Sequence, residues 1–198
     1  MLKYLIIAVL SLSGISAKAQ YAPENEAGLA AARGGDMQAA WDIWKPLADV
    51  GDARAQSNIG VMYDNGDIVA EDDTEAVRWF TLSAEGGFDQ GQFNLAQKYG
   101  EGAGVAQNWT IAIGWYQAAA RQGHPYAQMA LMQAYYFGNG ATPDPAKAYM
   151  WMTIAAETGF ATAVDNLADF EARVGKEAVA QGREMAVKCI SAGLEDCP

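Results

Sequence analysis

Written in rows of 36 residues, the chain aligns with itself without a gap from residue 40 onward. Gly51, Gly87, Gly123 and Gly159 share one column, and Ala48, Ala84, Ala120 and Ala156 another. Ile59, Leu95, Leu131 and Leu167 form a third, and Ala40, Ala76, Ala112 and Ala148 a fourth. Ile43, Trp79, Trp115 and Trp151 follow, then Trp44, Phe80, Tyr116 and Met152. An Ala/Gly-rich composition cannot place Trp and Tyr in phase. A period in this range marks a repeat architecture, in which each unit hides its apolar face only against its neighbours.

Each period reads as two helices. In the unit from Asp52 to Gly87, Ala55, Ile59 and Met62 are spaced four and three apart, one face of a first helix over roughly Ala53 to Tyr63. Gly66 stops it, since glycine accepts the left-handed conformation that ends helices. A second helix opens at Asp72 and carries Ala76, Trp79, Phe80 and Ala84 on one stripe. Asp72, Asn108 and Asp144 share the capping column, where their side chains can accept from free first-turn amides. The expected fold is therefore all-α, a right-handed α-solenoid of stacked antiparallel helix pairs. Its divisions are a capping hairpin over 20–51, repeats over 52–87, 88–123 and 124–159, and a partial repeat with a C-terminal cap over 160–198. Trp79, Trp115 and Trp151 are assigned to the core.

The first nineteen residues carry a different pattern. Lys3 precedes a short apolar run from Tyr4 to Leu12, and the segment ends in Ala17-Lys18-Ala19. That is the three-part pattern of a secretory signal peptide, with cleavage expected after Ala19 and an uncleaved anchor as the alternative. The run is far shorter than the roughly 20 residues that span a bilayer. Residue 20 is Gln, so a lipoprotein thiol is missing and no stable membrane anchor is expected after cleavage. The product is expected to be periplasmic or secreted. With 13 basic and 24 acidic residues the formal charge is −11. This excludes a nucleic-acid partner, which needs a basic patch. Apolar residues at 51% exclude wholesale disorder.

The runs AQSNIGVMYDNG (55–66), GQFNLAQKYGEG (91–102) and AQMALMQAYYFGNG (127–140), with AVRWFTLSAEGG (76–87), AIGWYQAAARQG (112–123) and AYMWMTIAAETG (148–159), resemble the Sel-one-like repeat family, a longer-period relative of the tetratricopeptide repeats. Two departures stand out. Ile68 occupies the position of Gly104 and Gly140, and Ala130 that of Asn58, Asn94 and Asn166. The resemblance implies a curved surface and an adaptor or regulator role through protein contacts. Exported bacterial members imply envelope signalling or assembly systems.

Residues for chemistry are sparse. His124 is the one histidine and falls in the turn column with Asp52, Phe88 and Phe160. It lacks the neighbours of a zinc or catalytic site, and it is read as a turn residue. No G-x-S-x-G, S-x-x-K or phosphate-binding motif occurs. Asp64-Asn65-Gly66-Asp67 departs from the calcium-loop register and is read as a solvated loop. Asn108-Trp109-Thr110 matches a glycosylation acceptor, but Asn108 sits in the capping column. No cofactor or metal is expected. Cys189 and Cys197, an even pair in an exported chain, are expected to form a disulfide.

By analogy with tetratricopeptide geometry, variable first-helix positions line the inner surface. The candidate partner-binding residues are Arg54, Phe93, Gln97, Tyr126, Met129, Gln133 and Tyr136. Ser57, Val61, Gln90, Asp165 and Asp169 accompany them. Phe93, Tyr126, Met129 and Tyr136 would make an aromatic, thioether-lined groove for an apolar peptide or helix, with packing inside the protein as the alternative. The expected function is protein–protein interaction, as scaffold or regulator in the bacterial cell envelope, with no enzymatic activity. The alternative is an envelope or β-lactam hydrolase on the same fold, and a third possibility is a structural subunit of a larger solenoid.

Overall fold

The computed structural model describes residues 22–195 and 197–198, so the leader segment lies outside the described residues. Ten helices follow one another with no strand among these residues. They are α1 (Ala22–Arg33), α2 (Met37–Asp49), α3 (Ala53–Asn65), α4 (Asp73–Glu85) and α5 (Asp89–Glu101). Then come α6 (Trp109–Arg121), α7 (Pro125–Phe137), α8 (Pro145–Glu157), α9 (Ala161–Val174) and α10 (Lys176–Ser191). Short turns join them, so consecutive helices run antiparallel. Each of α1 to α8 packs on the helix that follows it, and α3 also touches α5. The result is an α-solenoid of stacked helix pairs.

The ends of the helices follow from their boundary residues. Asp72, Asn108 and Asp144 each accept a first-turn backbone N–H, from Thr74 and Glu75, from Ile111 and from Lys147. Asn108 is therefore engaged as a cap. Gly66, Gly102 and Gly138 close α3, α5 and α7 in the left-handed region. Gly104 and Gly140 have a further reason to be glycine. A Cβ on Gly104 would lie 2.2 Å from the Asp73 carbonyl oxygen, and one on Gly140 2.3 Å from Trp109 Cβ. Each loop thus presses on the start of the preceding repeat's second helix. Ile68 stands where the preceding element is the opening hairpin, and its backbone keeps a negative φ.

The aromatic columns divide the packing. Trp79 joins Trp44, Ala48, Ile59 and Met62 in a cluster across α2, α3 and α4. Its neighbour Phe80 joins Ala76, Ala84 and Leu95 in the next cluster. Two successive side chains therefore stitch adjacent layers. Full burial of such a side chain contributes about 1.5–3 kcal/mol. The Phe80 ring fits because Gly60 leaves room, since a Cβ there would lie 2.5 Å away. Trp79 and Trp151 are buried, whereas Trp115 is half-buried. Small residues at 55, 91, 127 and 163 allow close approach, and all four are buried.

The final pair departs from the pattern. α10 lies along α8 and touches α9 only slightly. Gly175, at φ 87° and ψ 156°, is the whole connection between α9 and α10 and turns the chain sharply. Gly182 then seats α10 on α8, since a Cβ there would lie 2.4 Å from the Ala146 carbonyl oxygen. Cys189 of α10 and Cys197 beyond it are both buried and joined as a disulfide, their Cα atoms 5.0 Å apart.

Candidate partner-binding face

The first helices of the last two pairs, α7 and α9, carry the most distinctive surface. Between them and α8 lies a recess of about 290 Å³. Met129 and Met132 of α7, Met152 of α8 and Phe170 of α9 form its apolar lining. Thr162, Asn166, Asp169 and Arg173, all from α9, form its polar rim. Three thioethers give a deformable floor that adapts to side chains of different shape. The rim can orient a peptide by hydrogen bonds and charge.

Aromatic rings stand at both ends of α7. Tyr136 is half-buried, with ring centroids 5.0 Å from Phe137 and 5.1 Å from Phe170. Phe170 therefore connects Tyr136 to the recess that holds Met129. Gln133 is exposed on the same helix. At the other end, Phe93 stacks on the His124 ring at 4.7 Å and lies 6.2 Å from Tyr126. Tyr126 meets Phe160 edge-on at 5.1 Å and is 59% exposed. The ladder Phe93–His124–Tyr126–Phe160 thus runs along the starts of α5, α7 and α9.

The sequence candidates fall into three places. Phe93 and Tyr126 share the ladder, with Phe93 half-buried in it. Met129 and Tyr136 share the recess region through Phe170. Arg54 is turned elsewhere, donating to the Glu26 carboxylate at 3.0 Å and lying over the Phe88 ring. Gln97 is half-buried on α5, one turn after Phe93. Met132, Met152, Phe160 and Phe170 were outside the candidate set. The signal for Phe160 was present in the sequence, because the column of Phe88, His124 and Phe160 is aromatic at three successive repeats.

His124 is more than a turn residue. Its Nδ1 accepts the Ala127 N–H at 3.2 Å and caps α7, and its Nε2 lies 3.2 Å from Gln90 Oε1. Burial lowers its pKa below the usual value against an opposing pull from the Asp89 carboxylate. Beneath Phe93, burial and the Glu101 charge push the Tyr116 phenol up to about 12.

One ion cluster was not legible as such. Lys98 is buried and donates to both Asp64 and Asp73, the latter at 2.6 Å. Burial opposes the Lys98 charge, but the two carboxylates outweigh it and raise the ammonium pKa. Asp73 is held below its usual range by the Lys98 hydrogen bond. The Asp64 carboxylate, read from the sequence as part of a solvated loop, instead lies in the last turn of α3 and is committed to a lysine. Among the described residues no group of three or more His, Cys, Asp or Glu could hold a metal ion. Nor is any helix among them long and apolar enough to cross a membrane.

Comparison with known proteins agrees with this architecture. The family model described as Sel1 repeat matches residues 53–88, 89–124 and 125–160. No curated protein matches the sequence. Among solved structures, a Sel1 repeat protein from Oxalobacter formigenes superposes with a TM-score of 0.70 at 25% identity, over 85% of this chain and 74% of that one. The second is c5321, a protective antigen present in uropathogenic Escherichia coli strains that displays an SLR fold. It superposes with a TM-score of 0.69 at 29% identity, over 90% of this chain and 43% of that one. The matched repeats cover more than half of the sequence, and the chain belongs to the Sel1 repeat family.

Proposed function

We propose that this is an exported helical-repeat protein of the bacterial cell envelope that binds other proteins, as scaffold or regulator, through the face carried by α7 and α9. Sel1 repeats typically mediate protein–protein contacts and typically form non-catalytic scaffolds. The observation that carries the reading is the recess of Met129, Met132, Met152 and Phe170 with its polar rim on α9. An adaptable apolar floor with a hydrogen-bonding edge suits an amphipathic helix or an apolar peptide. The acidic surface favours partners with basic patches, with association that slows as salt rises.

Photo-crosslinking side chains placed at Gln133 and Asp169, both exposed, test the face in cells. Discrete adducts from these positions and none from Arg33 on α1 are the expected result. Equal labelling at all three, or none at all, would overturn the assignment. Export has its own measurement. The envelope fraction should contain a product whose N-terminus is Gln20, and retention of the full-length chain in the cytoplasm would contradict export.

A further inference from the structure

We propose that His124 is an acid-sensitive joint of the solenoid, closing the contact between α5 and α7 when neutral and opening it when protonated. The geometry defines the neutral form. Nδ1 accepts the Ala127 amide, so the proton of the neutral ring resides on Nε2, directed at Gln90 Oε1 on α5. The ring is 6% exposed and stacks on Phe93, also of α5, with planes 23° apart. One side chain thus caps α7 and fastens it to the preceding repeat. In the same column Asp52 caps α3 through its carboxylate, whereas Phe88 and Phe160 provide no side-chain cap. A titratable cap therefore occurs at this one of the four junctions in the histidine pH range.

Protonation places a second N–H at Nδ1, facing the Ala127 N–H that it formerly accepted. The cap is lost, and a positive charge sits at the N-terminus of α7, where the helix dipole disfavours cations. The surroundings supply little to offset this. From α5, Asp89 attracts the charge but does not balance the burial of the ring. α7 has no charged residue from Pro125 to Phe137. At the end of α6, Gln122 bonds Gln92 and Arg121 is turned to the Cys197 carbonyl. From α7 itself Tyr126 flanks the imidazole at 6.1 Å, with Phe160, just before α9, edge-on against Tyr126. The open chain takes up the proton at about 6.5. The closed joint takes it up at lower pH, so stability from the joint is complete above 6.5 and drains away as pH falls below it. This inference is independent of any partner.

Because the sequence contains a single histidine, its imidazole resonances in the full chain report on this ring alone. The expected titration midpoint lies below 6.5, and exchange of the Ala127 and Gln128 amides should accelerate across the same pH range. His124→Asn retains a capping oxygen but does not titrate. The parent should therefore lose Tm relative to this variant between pH 7.5 and pH 5. A midpoint at or above 6.5 would overturn the proposal, as would amide exchange at α7 that ignores the titration. Identical pH profiles for parent and variant would do the same.

Discussion

The guanidinium of Arg121, at the end of α6, donates to the backbone carbonyl of Cys197 at 2.7 Å, across 76 positions of sequence. The second repeat thereby holds the C-terminal tail, and the Cys189–Cys197 disulfide fixes that tail to α10. Mass spectrometry of unreduced, alkylated protein should find neither thiol labelled. Cys197→Ser should cost about 2–3 kcal/mol in urea unfolding, as expected for closing a short loop. Arg121→Met should cost less, about 1 kcal/mol, because its guanidinium is partly solvated. Labelling of both thiols would remove the bridge.

Lys98→Met removes the cation from between Asp64 and Asp73, putting there the residue found at Met62 one repeat earlier. Breaking a buried ion pair by deleting one partner costs about 3–5 kcal/mol. Here both carboxylates remain partly exposed, so about 1–2 kcal/mol is expected. The pH signature has a definite sign. Asp73 is depressed below 3.8 in the folded protein, so its contribution is present above that value and is lost as pH falls through the folded pKa. Lys98 is raised above 10.5, so its contribution is present below that value and is lost as pH climbs through the folded pKa. Thermal melts of Lys98→Met should be flatter at both extremes than those of the parent.

Gln56, Gln92 and Gln128 each donate a side-chain amide N–H to the carbonyl of the alanine eight residues earlier, closing the end of the preceding helix. Gln92 also accepts from Gln122 at 2.8 Å, whereas Gln128 Oε1 is buried with no partner among the described residues. Replacement by Met should therefore be unequal. Gln92→Met should cost about 1–2 kcal/mol, and Gln128→Met about 1 kcal/mol less, because it also removes an unsatisfied acceptor. Equal unfolding midpoints would show that the second bond contributes nothing.

Gly104→Ala meets two obstacles, a left-handed backbone at φ 69° and the Asp73 carbonyl. Gly123→Ala meets only the first, since nothing lies within 4 Å of its Cβ position. The left-handed conformation costs about 1–2 kcal/mol without glycine. Gly104→Ala should exceed that figure and Gly123→Ala should match it in thermal unfolding.

The candidate face was only partly legible. Met129 and Tyr136 stand among the candidates because they vary between repeats on a first-helix face. Phe170 was missed because its contact with Tyr136, and its place beside Met129 in the recess, depend on how α9 sits beside α7, which no local pattern encodes. Lys98 was missed because its carboxylates lie 34 and 25 residues away in sequence.

The 36-residue register, the capping aspartates and the apolar stripes determined an all-helical stack, because helical periodicity and nearest-neighbour packing are local properties that recur in phase. Only the tertiary structure decided where the stack stops repeating. Gly175 turns α10 off α9, and Gly182 lets it settle against Ala146 on α8 instead. The choice between those two surfaces rests on contacts between residues more than thirty positions apart, and it is made by close approach in three dimensions rather than by any repeat of the sequence.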